Sequence, residues 1–325
     1  MKVIVTGVAG FIGSHLAEKL IDNGHHVTGI DNFNNYYTPS IKRINIRNLL
    51  NSDKFTLMEQ NLLIDDTSMF AGYDHIFHLA GQPGVRSSWG SDFQGYVDNN
   101  ILLTQKILES IKGSSTLKRF VFASSSSVYG NAQELPLRET TKPAPVSPYG
   151  VTKLTAEHLC SVYSGTYGLP IVCLRFFTVY GPRQRPDMAF HRFLRARIER
   201  EGISVFGDGS QTRDFTFVDD IVSGIMSAAF SSLDSRFAIF NLGSGRRISL
   251  SRVIDIIGDI TGEPLRVSYA SFEKGDMNDT LADISQAVSQ LGYAPNVDLI
   301  DGLKAEWTWM CEHRETIMGD TATRF

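Results

Sequence analysis

Three glycines spaced three apart, Gly7, Gly10 and Gly13, stand between the β-branched run Val3-Ile4-Val5 and a helical pattern carried by Phe11, Leu16, Ala17, Leu20 and Ile21. The order reads strand, tight turn, helix. Gly7 lets the main chain turn sharply, Gly10 admits a pyrophosphate to the backbone, and Gly13 lets helix and strand approach closely. Unpaired N–H groups and a partial positive charge at the helix start then face the phosphates. Gly24 follows Asn23 as the helix stop, and residues 27–30 read as a second strand ending at Asp31. Asp31 lies 18 residues beyond Gly13, close to the roughly 20 expected of an acid that bonds a ribose 2′-hydroxyl. The unit therefore specifies a dinucleotide. A carboxylate at that place repels a 2′-phosphate and no arginine directly follows it, so NAD is expected over NADP. Lys42 and Arg43, the nearest cations downstream, are assigned to a solvated helix face.

Further strand patterns fall at 55–58, 75–80, 119–123 and 171–176, each separated from the next by a helix-length segment. Such alternation predicts an α/β fold, a Rossmann-type doubly wound parallel sheet. Residues 97–111 carry apolar side chains at helical spacing and make a crossover helix. Ser147-Pro148 supplies an N-cap followed by proline at the first helical position, starting a helix that runs to about Tyr167. Beyond Gly181-Pro182 the rhythm loosens, with short strand patterns at 203–206 and 215–218. The expected division is a first domain over 1–180 and a smaller, interleaved C-terminal substrate domain over 181–325. The helical stretch after Asp219 returns to the first domain, and residues 310–325 form a terminal helix with a polar tail.

Composition narrows the class. With 42% hydrophobic and 20% charged residues, the chain suits a packed enzyme. A net charge of −4 argues against nucleic acid or an anionic membrane as the partner, leaving room for a local basic pocket. Cys160, Cys173 and Cys311 are odd in number and lack ligand spacing, so reduced thiols and no metal site are expected. No apolar run approaches the roughly 18 residues of a membrane span, and the first strand begins at once, so a cytoplasmic protein is expected. His15, His75, His78 and His191 show no metal spacing and read as structural.

Tyr149 and Lys153, four apart in a predicted helix, share one face. Tyrosine with a pKa near ~10 is a poor base at neutral pH, and an adjacent ammonium favours its phenolate. Standing alone, the pair would read as an ordinary surface contact. It does not stand alone, because Ser124, Ser125, Ser126 and Ser127 follow the strand 119–123 at its carboxyl end, where open α/β sheets place their ligands. Four hydroxyls are expected to face a substrate there.

The glycine triplet, Asp31, His78-Leu79-Ala80, the serine run before Val128-Tyr129-Gly130, and Tyr149 with Lys153 together resemble the extended short-chain dehydrogenase/reductases that act on nucleotide sugars. Within that group, Gly84-Val85-Arg86, the stretch Leu174 through Pro182, and Arg185 through Met188 are most similar to UDP-glucuronate 4-epimerases. The resemblance implies a catalytic trio of Ser125, Tyr149 and Lys153, with Tyr149 taking the 4-hydroxyl proton while the C4 hydride passes to NAD. It implies NAD contacts at Gly7, Gly10, Phe11, Ile12, Gly13, Asp31, Asn32, Asn61, Leu62, Leu79, Ala80, Tyr149 and Lys153. Asn61 replaces the acid many relatives carry near adenine. Asn100 and Thr104 match a helix that buttresses the site, with a structural role as open as cofactor contact.

For a UDP-hexuronic acid substrate the resemblance implies Arg86, Ser125, Ser126, Ser127, Thr178, Arg185, Arg192, Phe206, Gln211, Arg213 and Asp276. Arg213 is expected on phosphate, Phe206 near the uracil and Asp276 near the uridine ribose, while Arg195, Arg197 and Arg200 belong to a solvated helix face. Three related reactions remain as alternatives. Dehydratases carry an Asp-Glu pair where this chain has Ser126 and Ser127, decarboxylases usually place a Glu at the second position, and UDP-glucose 4-epimerases commonly have Asn at Thr178. A nucleotide-binding regulator without chemistry is the distant alternative, and the intact trio speaks against it. A homodimer is implied through 97–111 and 148–167.

Overall fold

The computed structural model describes residues 1–271, 277 and 279–319. Seven parallel strands form one sheet. In chain order they are β1 (Lys2–Thr6), β2 (His26–Asp31), β3 (Phe55–Glu59), β4 (His75–His78), β5 (Arg119–Ser125), β6 (Ile171–Phe176) and a last strand, Phe237–Leu242. Across the sheet the order is Phe237–Leu242, β6, β5, β4, β1, β2, β3. Registers such as Thr6 beside His78 and Ser125 beside Phe176 bring the carboxyl ends to one edge. The order reverses between β1 and β4, which opens a crevice above their ends.

The strands read as continuous apolar runs because both faces are covered. Val3, Val5, Phe77, Val121, Val172 and Leu174 belong to one core cluster, while Ile4, Ile76, Phe120, Phe122, Ile171 and Cys173 belong to another. Each fully buried side chain of this size contributes about 1.5–3 kcal/mol. Helix α1 (Phe11–Asp22) packs against the helix Val218–Phe230. The helices Leu103–Ile111 and Pro148–Tyr167 pack against each other.

Local signals explain the ends. The Ser147 hydroxyl accepts from Gly150 N with proline at the helix start, and Gly168 closes the helix in the left-handed region. Three expectations need correction. Val218 starts a helix instead of ending a strand, since Asp219 and Asp220 supply acidic side chains to its first turn. The stretch ahead of Leu103 is a π-helical turn, Val97–Leu102, flanked by Phe93–Tyr96. Beyond β6 lie parallel pairs, Thr178–Tyr180 with Phe215–Phe217 and Ile203–Phe206 with Val267–Ala270, and an antiparallel pair, Thr212–Arg213 with Ile248–Ser249. The end of the chain splits into Leu299–Glu312 and Arg314–Gly319 instead of running as one helix, and the last six residues of the expected tail lie outside the described residues. Among the described residues no helix is long and apolar enough to cross a membrane.

Candidate active site

A cavity of about 880 Å³ runs along the carboxyl edge of the sheet. At one end Gly7 adopts φ +71°, and a Cβ there would stand 2.9 Å from Ala80 N. A Cβ on Gly13 would stand 2.2 Å from the Gly7 carbonyl oxygen, so only glycine permits this approach of α1 to the turn. Gly10 caps α1 without a side-chain bond, and Phe11, Ile12 and Gly13 line the cavity. The first N–H groups of the helix are thus turned toward a ligand anion. Asp31 ends β2, its carboxylate accepting from Ala9 N at 3.1 Å and Phe33 N at 2.8 Å. Asn32, Leu62, Leu79 and Ala80 line the same end, as does Asn61, whose Oδ1 accepts from Leu63 N at 3.2 Å. This glycine cradle and acid fit a dinucleotide.

Two deeper residues hold the floor. His78 bonds Thr6 Oγ1 at 2.9 Å and Thr104 Oγ1 at 3.1 Å, Thr6 also accepts from Ala80 N, and Thr104 donates to Asn100 O. That order of donors places the imidazole proton on Nε2. Burial pushes the His78 pKa down to about 3. Asn100 accepts from Gln82 N and donates to Gln82 O and Thr152 Oγ1. Asn100 and Thr104 therefore support the loop after β4. The other histidines also serve packing, as in His15 against Pro182 O and His191 against Gln184 O. Among the described residues no group of three or more His, Cys, Asp or Glu is placed to hold a metal ion.

Lys42 is not on a solvated face. It is 5% exposed and lines the cavity, because Ile41, Lys42, Asn45 and Ile46 form the inward side of the helix Pro39–Ile46. Its Nζ donates to Asn34 Oδ1 at 2.7 Å and lies 3.9 Å from Asp31 Oδ1. Arg43 does face outward, in two 2.6 Å bonds to Glu59. The expectation for the later arginines also needs correction. Arg195 is buried and pairs with Glu199, and Arg197 reaches Glu263 on the neighbouring helix–loop connection; Arg200 is exposed, closing its helix at φ +59°.

In the middle of the cavity stand Ser125, Tyr149 and Lys153. Ser125 Oγ accepts from Ser127 N at 3.2 Å and hydrogen-bonds Tyr149. Lys153 is buried, donates to Ala123 O at 2.9 Å, and has its pKa pushed down by burial to about 8. Burial holds the Tyr149 phenol above its usual value, and the opposing pull comes from the Ser125 bond and then the Arg185 guanidinium. Ser124 also departs from expectation. β5 continues through it, and its hydroxyl donates to Glu157 Oε1 at 2.5 Å within a buried Glu157–Arg175 pair. Ser126 and Ser127, in a 3₁₀ turn, and Thr178 line the wall beside Ser125.

Near Tyr149, Arg185 grips Asp187 through Nε at 3.0 Å and Nη2 at 2.9 Å. Tyr36 donates to Asp187 at 3.4 Å, joining this loop to the one after β2. Arg86 stacks over the Phe206 ring at 4.2 Å, and Gln211 Nε2 donates to Phe206 O. Arg192 and Arg213 complete a basic end, and burial and the Arg86 charge lower the Arg192 pKa. The fold thus collects every expected site residue into one cavity except Asp276, which lies outside the described residues. Lys42, Tyr36 and Asp187 join them without having been expected. A lysine between Ile41 and Ile46 at helical spacing was the readable sign for the first, and Asp187 two residues after Arg185 for the last.

Comparison with known proteins agrees with this geometry. Residues 3–243 match the model of the NAD dependent epimerase/dehydratase family. The chain is 47% identical over 312 residues to an uncharacterized UDP-glucose epimerase of Bacillus subtilis, covering 95% of this chain and 98% of that one. It is 39% identical over 324 residues to UDP-glucuronate 4-epimerase of Thermodesulfobacterium geofontis, covering 97% of each. Among solved structures, UDP-glucuronic acid 4-epimerase from Bacillus cereus in complex with UDP-glucuronic acid and NAD is 44% identical with a TM-score of 0.93, covering 96% of this chain and 99% of that one.

Proposed function

The chain belongs to the NAD dependent epimerase/dehydratase family and is an NAD-dependent nucleotide-sugar 4-epimerase, and we propose that its reaction is the interconversion of UDP-glucuronate and UDP-galacturonate. The observation that carries the sugar is the wall of Ser126, Ser127 and Thr178 beside Ser125, which presents hydroxyls and no carboxylate. Hydroxyl donors hold a sugar carboxylate, whereas an acid at either serine would repel it.

In this reading the Tyr149 phenolate, its charge offset by the Lys153 ammonium, takes the proton from the sugar 4-hydroxyl and becomes the phenol. The glycine turn and Asp31 would hold NAD, which would supply the hydride acceptor and donor for sugar C4. Lys153 holds the ribose next to the reacting ring and contributes positive charge there. The intermediate is a β-keto acid, which loses carbon dioxide when its carboxylate stands perpendicular to the ring carbonyl. Ser126, Ser127 and Thr178 hold the carboxylate away from that arrangement. Arg86, Arg192 and Arg213 take the diphosphate, with Phe206 beside the uracil.

The test is to offer UDP-glucuronate, UDP-glucose and UDP-galactose separately and follow products by NMR. UDP-galacturonate is expected from the first. A UDP-pentose would overturn the reading, and turnover of the neutral sugars alone would favour UDP-glucose 4-epimerase, in keeping with the name of the Bacillus subtilis relative, an uncharacterized UDP-glucose epimerase. In Thr178→Ala or Ser127→Ala the fraction of decarboxylated product should rise; an unchanged ratio and rate would remove the carboxylate role. A cytoplasmic homodimer completes the proposal, with exposed Leu102, Val151 and Val162 on the two expected helical segments.

A further inference from the structure

The cofactor's ribose end contains a cation whose presence the preference for NAD does not explain. Lys42 is 5% exposed, and lysine is almost never so buried unless paired. Its ammonium donates to Asn34 Oδ1 at 2.7 Å, sits 5.1 Å from the Tyr37 ring centroid, and stands 3.9 Å from Asp31 Oδ1. Asp31, Asn34, Tyr37 and Lys42 all line the cavity. The Asp31 oxygens are each held by a backbone N–H, from Ala9 and from Phe33, so the carboxylate is fixed independently of Lys42. The adjacent cation cannot substitute, because Arg43 points outward to Glu59 and stacks over Phe33 at 3.7 Å.

A ribose 2′-phosphate entering here would meet one fixed carboxylate and one buried ammonium. The carboxylate repels it, and the ammonium is the group a phosphate-binding site requires. We propose that Lys42 is a phosphate-ready cation masked by Asp31, so that exclusion of NADP rests on the Asp31 carboxylate alone. The inference rests on the NAD assignment and is independent of which UDP-sugar is turned over.

The experiment titrates cofactor-stripped protein with NAD and with NADP by isothermal calorimetry, for the parent chain, Asp31→Ser and Asp31→Ser/Lys42→Met. Asp31→Ser should bind NADP at least about tenfold more tightly than the parent, as one charge-assisted contact to phosphate warrants. Most of that gain should be lost in the double variant, and it should shrink with added salt. A gain undiminished by loss of Lys42, or no gain in Asp31→Ser, overturns the proposal. Asp31→Asn, which keeps the shape and one acceptor oxygen, gives the same reading if the serine variant does not fold. A parent chain that binds neither dinucleotide would instead strike the cofactor assignment.

Discussion

Replacing Glu157 with alanine removes one partner of the ion pair buried behind Ser125. Glu157 and Arg175 are each 3% exposed as side chains. Glu157 Oε1 accepts from Arg175 Nε at 2.9 Å and Ser124 Oγ at 2.5 Å, and Oε2 accepts from Arg175 Nη2 at 2.7 Å. Without the carboxylate the guanidinium is left with a 3.4 Å bond to Glu139 O and its seat over the Tyr129 ring. Leaving a buried charge uncompensated costs about 3–5 kcal/mol, and the stranded Ser124 hydroxyl adds about 1 kcal/mol or more. Against a total stability of about 5–15 kcal/mol, that loss brings the chain near unfolding. The double change Glu157→Leu/Arg175→Met removes both charges together and should restore most of it. Urea unfolding of the cofactor-stripped protein, followed by circular dichroism and tryptophan fluorescence, measures both. A loss below about 1 kcal/mol in the single variant, or a double variant no more stable than it, would refute this account of the pair.

Gly13→Ala should lower stability by about 1–3 kcal/mol and weaken NAD binding with it, since the new methyl meets backbone on the other side; calorimetry showing unchanged NAD affinity would contradict the close approach. The histidines predict an acid limit. Burial lowers the folded pKa of His75 to about 4 and of His78 to about 3, below the unfolded value of 6.5, so the unfolded chain binds more protons between those values. Stability should be full above pH 6.5 and fall as the pH drops through that window; melts of His75→Gln should show a shallower fall, and a parallel profile would remove His75 from the cause. Val162→Glu should convert the proposed dimer to monomer in sedimentation, with the catalytic cavity intact, and an unchanged mass would place the interface elsewhere.

Much of the dinucleotide half was legible because its constraints are local. A turn that needs φ +71° and a helix start that tolerates no Cβ must be written as glycine, and Asp31 is fixed by the length of the first helix. Tyr149 and Lys153 were legible for the same reason, four residues apart on one helix. Ser124 was not, because the residue that claims its hydroxyl is 33 positions away. Lys42 was not legible, since charges on a short helix usually face water, as the adjacent Arg43 does, and only the packing of Ile41, Asn45 and Ile46 turns Lys42 inward. The strand Phe237–Leu242 escaped notice because its place beside β6 is decided by long-range pairing.

The π-helical turn Val97–Leu102 carries a consequence for insertion and deletion. An α-helix advances about 100° per residue, so one residue fewer there would rotate everything before it by that angle relative to everything after. Leu103, Ile107, Leu108 and Ile111 face the core on the far side of the turn, while on the near side the Tyr96 hydroxyl reaches Pro83 O and Ser87 beside the cavity. The wide turn is a phase shifter that lets one continuous helix keep two appointments that a uniform winding would miss. Apart from Asn100, these six residues should tolerate substitution far better than a change in their number.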